Sequence, residues 1–179
     1  MLVHIDIPVF RGGAIDVFWE DNAKISIIIS NSAVEIAANK EAFFSLAKQL
    51  LYFSCNNFLA YSHVHYDGFF CKGNYQGPEL IIEFSPSEEP IMIDKCEGES
   101  VTVSLDLSND GNDIQWDNRQ HICVKHHNNS VLIKGDEKAF LSLAQCLLAF
   151  AIVGRKQCMI LDDSVCQWGE QPLLLRLQK

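Results

Sequence analysis

AVEIAANKEAFFSLAKQLLYFS (33–54) and SVLIKGDEKAFLSLAQCLLAFA (130–151) align without a gap at an offset of 97 residues. Ten of the 22 positions are identical: Val34, Ile36, Ala42, Phe43, Ser45, Leu46, Ala47, Leu50, Leu51 and Phe53 recur as Val131, Ile133, Ala139, Phe140, Ser142, Leu143, Ala144, Leu147, Leu148 and Phe150. In each stretch the apolar residues fall 3, 4, 7 and 8 positions apart, from Phe43 to Leu51 and from Phe140 to Leu148, which is one stripe of a helix of period 3.6. Asn39 and Asp136 stand where an N-cap belongs, because their side-chain oxygens can accept from the first unpaired backbone N–H groups.

Working outward, the same offset pairs Asp16 with Asp113, Trp19 with Trp116, Ile25 with Ile122 and Asn31 with Asn128. After two short deletions Asp67 and Cys71 pair with Asp162 and Cys166, and ELIIEF (79–84) with PLLLRL (172–177). At the start, LVHIDI loosely matches SVTVSLDL. The chain therefore reads as two tandem copies of one unit, residues 1–96 and 97–179, either as two units or as one compact pseudo-symmetric domain. Around each helix the alternating runs ISIII, AVEIA, HVHY and ELIIEF, and HICVK, SVLIK, CMIL and LLLRL, predict strands. Each copy is then β-β-β-α-β-β, and the fold class is α+β, a mostly antiparallel sheet with a helix packed on each copy. Residues 72–78 and the His126–Asn129 stretch read as loops.

The 179 residues are 48% hydrophobic and 21% charged, a composition that supports a core and excludes disorder as the overall state. No run approaches the 18 or so apolar residues of a membrane span, and MLVHIDIPVF lacks the pattern of a signal peptide. Fourteen basic against 23 acidic residues give a net charge of −9, which is unsuited to nucleic acid or anionic membranes and steers toward a basic partner. Seven cysteines without a C-x-x-C pair suit a reducing cytoplasm.

Little catalytic chemistry can be assembled. His63, His65 and Asp67 share a strand face and form a candidate metal set for a metal-dependent enzyme. The second copy puts Cys158, Ile160 and Asp162 there, so the imidazoles are not repeated, and an exposed polar face over buried Val64 and Tyr66 is the competing reading. No nucleophile elbow or phosphate loop is present, and Cys71 reads as a structural thiol. The expectation is a protein with no catalytic residue, no metal and no cofactor. Partner surface is sought instead in carboxylates: Asp106, Asp110, Asp113 and Asp117 around Trp116, and Glu88 and Glu89. Asp16, Glu20 and Asp21 around Trp19 are the matching patch of the first copy, with both indoles read as core. A structural module that pairs through sheet edges is a further alternative.

Asn39, Ala42, Phe43, Ser45, Leu46, Ala47 and Leu50, followed by His63, His65, Asp67 and Glu79–Glu83, resemble a family of small bacterial immunity proteins. These are encoded beside polymorphic or contact-dependent growth inhibition toxins. The resemblance covers about 60 residues of the first copy and fades in the second, which keeps the helix and loses both histidines. It implies a non-catalytic inhibitor that binds a cognate toxin domain in the cytoplasm. Many such toxins are nucleases with basic clefts, which an acidic protein can occupy.

Overall fold

A computed structural model describes residues 1–87, 99–107, 121–153, 158–161 and 167–178. The elements in order are β1 (Leu2–Pro8), β2 (Ile25–Ile29), β3 (Val34–Ala38), α1 (Lys40–Cys55), β4 (His63–Tyr66), β5 (Tyr75–Gln76) and β6 (Glu79–Phe84). Then follow β7 (Ser100–Asp106), β8 (His121–His127), β9 (Ser130–Gly135), α2 (Glu137–Leu148) with a π turn at Ala149–Val153, β10 (Cys158–Leu161), β11 (Gln167–Glu170) and β12 (Leu173–Leu177). The α+β class is borne out. The short β5 and β11 are additions to the expected strands, and β5 lies inside a stretch read as loop.

Two five-stranded sheets carry the fold, a first of order β10-β12-β3-β2-β5 and a second of order β11-β8-β9-β6-β4, beside a two-stranded ribbon β1-β7. Each sheet draws strands from both sides of residue 96. The hairpins β2-β3 and β8-β9 form as expected, but their outer partners come from the other half: β3 pairs in parallel with β12, and β9 in parallel with β6. The sheets are mixed, because four of the nine pairings among the described residues are parallel. β6 and β12 each lie between two neighbouring strands and alternate between core and open face, with Leu80, Ile82 and Phe84 buried in the first and Leu173 and Leu175 in the second.

Both helices begin as the caps predict. Asn39 Oδ1 accepts from Ala42 N at 3.1 Å and Asp136 Oδ1 from Ala139 N at 2.8 Å. Each cap has a second task. Asn39 also accepts from Lys24 N at 2.9 Å, and Asp136 Oδ2 from His121 N at 3.1 Å, so each cap pins the first residues of the hairpin that feeds its helix.

The helices pack on one another as well as on the sheets. Ser54 Oγ donates to the carbonyl of Glu137 at 2.8 Å, which ties the end of α1 to the start of α2. Leu46 and Leu50 of α1, Leu143 and Leu147 of α2, Ile36, Leu173 and Leu175 of the first sheet, and Leu80, Ile82 and Ile133 of the second surround one small cavity. The apolar stripes therefore meet in a single core, in which each fully buried Leu, Ile or Phe contributes about 1.5–3 kcal/mol. Phe53 sits at its aromatic centre, stacked on Phe84 with centroids 6.1 Å apart and in contact with Phe58 and Phe140.

Candidate partner surface

β4 is a marginal strand of the second sheet, at the edge opposite β11. Val64 and Tyr66 point into the core and His63 and His65 outward, as the period of two requires. Outward side chains continue across the sheet in register. His65 lies opposite Ile81, Ile81 opposite Leu132, and Leu132 opposite Lys125. The next row runs His63, Glu83, Lys134, Cys123. Along the first of these rows lies an open groove of about 290 Å³ with Ile81 and Leu132 as floor and His63, His65, Glu83, Lys125, His127 and Ser130 around it.

The polar rim is held by specific contacts. His63 Nδ1 lies 2.8 Å from the Tyr61 carbonyl, and His65 Nδ1 lies 2.7 Å from Glu79 Oε1. A carbonyl and a carboxylate accept, so in both imidazoles the proton on Nδ1 is committed to these contacts. The two rings stand 5.0 Å apart. Lys134 Nζ pairs with Glu83 at 2.9 Å and lies over the Tyr61 ring, 4.8 Å from its centroid.

The candidate metal set of the alternative reading does not assemble. The strand ends at Tyr66, and the Asp67 carboxylate accepts from Phe70 N at 2.7 Å, which starts a turn. Two imidazoles remain together without their carboxylate. Among the described residues no group of three or more His, Cys, Asp or Glu is placed to hold a metal ion. Cys71 sits beneath this turn with its thiol pushed up to about 12, by burial first and then by the charge of Asp67, which suppresses the thiolate a nucleophile needs. Burial also raises the hydroxyls of Tyr66 and Tyr75 beside it, so this cluster packs as structure.

Of the carboxylates expected to face a partner, Glu88, Glu89, Asp110, Asp113 and Asp117 lie outside the described residues, as does Trp116. Asp106 is exposed at the end of β7 and accepts from the N-terminal ammonium at 3.2 Å. In the first half, Trp19 is half-buried against the core with its ring 5.6 Å from Tyr66. Its acidic neighbours are divided. Asp16 accepts from Tyr52 Oη at 3.2 Å, and burial first, then the Asp16 charge, lifts that phenol to about 12, whereas Asp21 pairs with exposed Lys72 at 2.9 Å.

Sequence reasoning missed the apolar residues that frame β4. Leu59 is 83% exposed, Tyr61 69% and Phe69 95%, more than any other large hydrophobic side chain among the described residues. Leu59 and Tyr61 lie in the loop that enters β4, and Phe69 lies in the turn that leaves it. The available signal was the Asp67-Gly68 pair, a turn former that marks Phe69 as the tip of a turn.

No helix among the described residues is long and apolar enough to cross a membrane. No curated protein and no solved structure matches the chain. Residues 33–96 match the family model Imm32, Immunity protein 32, a segment that contains β3, α1, β4, β5 and β6. This match bears out the resemblance read from the sequence: from β3 through β6 the chain is similar to an immunity protein of a toxin system.

Proposed function

We propose that this protein binds a cognate toxin domain, a nuclease, in the cytoplasm and neutralises it without catalysis, by covering the basic cleft that holds the toxin's substrate. The match of residues 33–96 to Immunity protein 32 carries this reading. The net charge of −9 supports an acidic surface as the means, since opposite fields speed encounter and desolvated carboxylates can stand where phosphates would lie. The carboxylates of Asp106, Asp110, Asp113, Asp117, Glu88 and Glu89 are the ones assigned to that surface. Seven cysteines without a C-x-x-C pair agree with a reducing compartment.

The same reading takes the chain as two copies, 1–96 and 97–179, intertwined into one pseudo-symmetric domain. What supports it is the strand order: exchanging each strand for its counterpart at the sequence offset turns β10-β12-β3-β2-β5 into β4-β6-β9-β8-β11. The paired tasks of Asn39 and Asp136 agree with this.

Co-expression of the chain with the toxin domain of the adjacent reading frame tests the function. Growth is restored and the toxin's nuclease activity is lost in the purified complex. A host that dies despite a soluble, folded chain overturns the reading. Reversing Asp110, Asp113 and Asp117 to Lys lowers the association rate about tenfold or more at low salt and flattens its salt dependence. An unchanged rate removes these carboxylates from the interface.

A further inference from the structure

We propose that the β4 margin of the second sheet is the surface on which the toxin domain seats, with Leu59, Tyr61 and Phe69 as anchors and the Ile81–Leu132 floor as the socket. This deepens the function proposed above and rests on it. The three most exposed large hydrophobic side chains among the described residues all lie within 11 residues of chain, on both sides of one marginal strand. Scattered single apolar residues on a surface need no explanation, but here Tyr61 meets the groove's margin through His63 and Lys134, and Leu59 and Phe69 flank the same strand in the chain, a concentration that suits an interface centre.

The position of these residues argues for the toxin as occupant. Leu59, Tyr61, His63, His65, Phe69 and Ile81 all fall inside residues 33–96, the part of the chain that matches the immunity-protein family. The counterpart in the first sheet lies on β10, outside that segment. It carries Cys158 and Ile160 in place of the two imidazoles.

The rim states the chemistry of the partner. The outward face of β6 carries the carboxylates of Glu79 and Glu83 on either side of Ile81, with His65 and Lys134 beside them. A matching toxin surface therefore places an apolar side chain over Ile81 and Leu132 and donates N–H groups of Arg or Lys toward the carboxylates of β6. A basic nuclease domain offers that combination. Tyr61 is set for the role, since its backbone is fixed in the left-handed region at φ 68° and Lys134 holds its ring.

The test compares affinities for the toxin domain of the adjacent reading frame by calorimetry. The variant Leu59→Ser/Tyr61→Asn/Phe69→Ser keeps the fold, since the side chains are exposed and Asn tolerates the φ of Tyr61; its unfolding midpoint confirms that. Its Kd rises about 100-fold, the scale of two or three anchor residues. The control variant Ile28→Ser/Ile160→Ser, on the open face of the first sheet, stays within about threefold of the parent. A β4 variant that binds like the parent overturns this inference and leaves the proposed function standing. A parent chain that forms a dimer dispersed by the β4 substitutions, with toxin affinity unchanged, identifies a second copy as the occupant and also overturns it. A parent chain that does not bind the toxin at all removes both.

Discussion

The two sheets share a strand order and differ in what they turn outward. Across the open face of the first, Ile160, Leu174, Glu35 and Ile28 stand in one register row, with Arg176 of the next row paired to Glu35 at 3.1 Å. Across the second, the corresponding row is His65, Ile81, Leu132 and Lys125, bordered by His63, Glu83 and Lys134. Inside, the sheets are near equivalents: Ile36 and Ile133 face the same core, as do Leu175 and Ile82. Packing density punishes change in an interior by kilocalories and leaves a surface free, so the sheets agree where they face the core and differ where they face water. The second sheet carries two imidazoles where the first carries Cys158 and Ile160.

The sharpest way to break the comparison is to attack what the sheets hold in common. Phe53 is fully buried between Phe58, Phe84 and Phe140, so it touches residues of both halves. Phe53→Ala costs about 3–5 kcal/mol. Denaturant unfolding followed by both near- and far-UV circular dichroism reports one transition shifted as a whole. Two separable transitions mean that the halves fold independently and that the core is not shared.

A smaller effect separates the halves at one position. Ala38, the last residue of β3, has Gly135 as its counterpart at the end of β9. A Cβ on Gly135 would come within 2.8 Å of two ring atoms of Phe140, a fully buried side chain with little room to turn. Gly135→Ala therefore destabilises by about 1–3 kcal/mol through overpacking, although alanine suits a strand better than glycine. Ala38→Gly loses about 1 kcal/mol for the opposite reason, lost packing and added chain entropy. A stabilised Gly135→Ala protein would show that the Phe140 ring yields and that the two helix starts are interchangeable.

How much of this could be read from the chain follows from what local patterns encode. The helices were legible to their caps, because a 3.6-residue stripe beginning after Asn39 or Asp136 has one interpretation. The hairpins were legible from alternation. The exchange of strands between halves was not, because alternation tells which face of β6 or β12 is buried and nothing about which strand lies beside it. Tyr75–Gln76 was hidden for another reason. Two residues between Gly73 and Gly77 carry no period, and their pairing with Ile25 and Ser26 is supplied by the sheet they join. At the candidate surface, the alternation placed His63 and His65 together correctly. It misplaced Asp67, because turn chemistry overrides alternation at the end of a strand. The exposed aromatic residues were missed since Tyr and Phe in a sequence read as core until the loop that carries them is seen.

The finest test of the difference between the faces is the ion pair at each centre. Arg176 grips Glu35 through two nitrogens, at 3.1 and 3.4 Å, with more than half of the arginine side chain in water. Lys134 meets Glu83 at 2.9 Å with 31% of the lysine exposed, and the Tyr61 ring covers it further. Exposed pairs contribute about 0–1 kcal/mol, since water screens the charges and the side chains lose freedom in holding them. Double-mutant cycles with Ala at each position give coupling below about 0.5 kcal/mol for Arg176–Glu35 and up to about 1 kcal/mol for Lys134–Glu83. Repeating the second cycle in a Tyr61→Asn background lowers its coupling, because the ring excludes water and holds the ammonium. A coupling that does not change on loss of the ring means that Tyr61 is not held by the rim, and weakens its standing as a preorganised anchor.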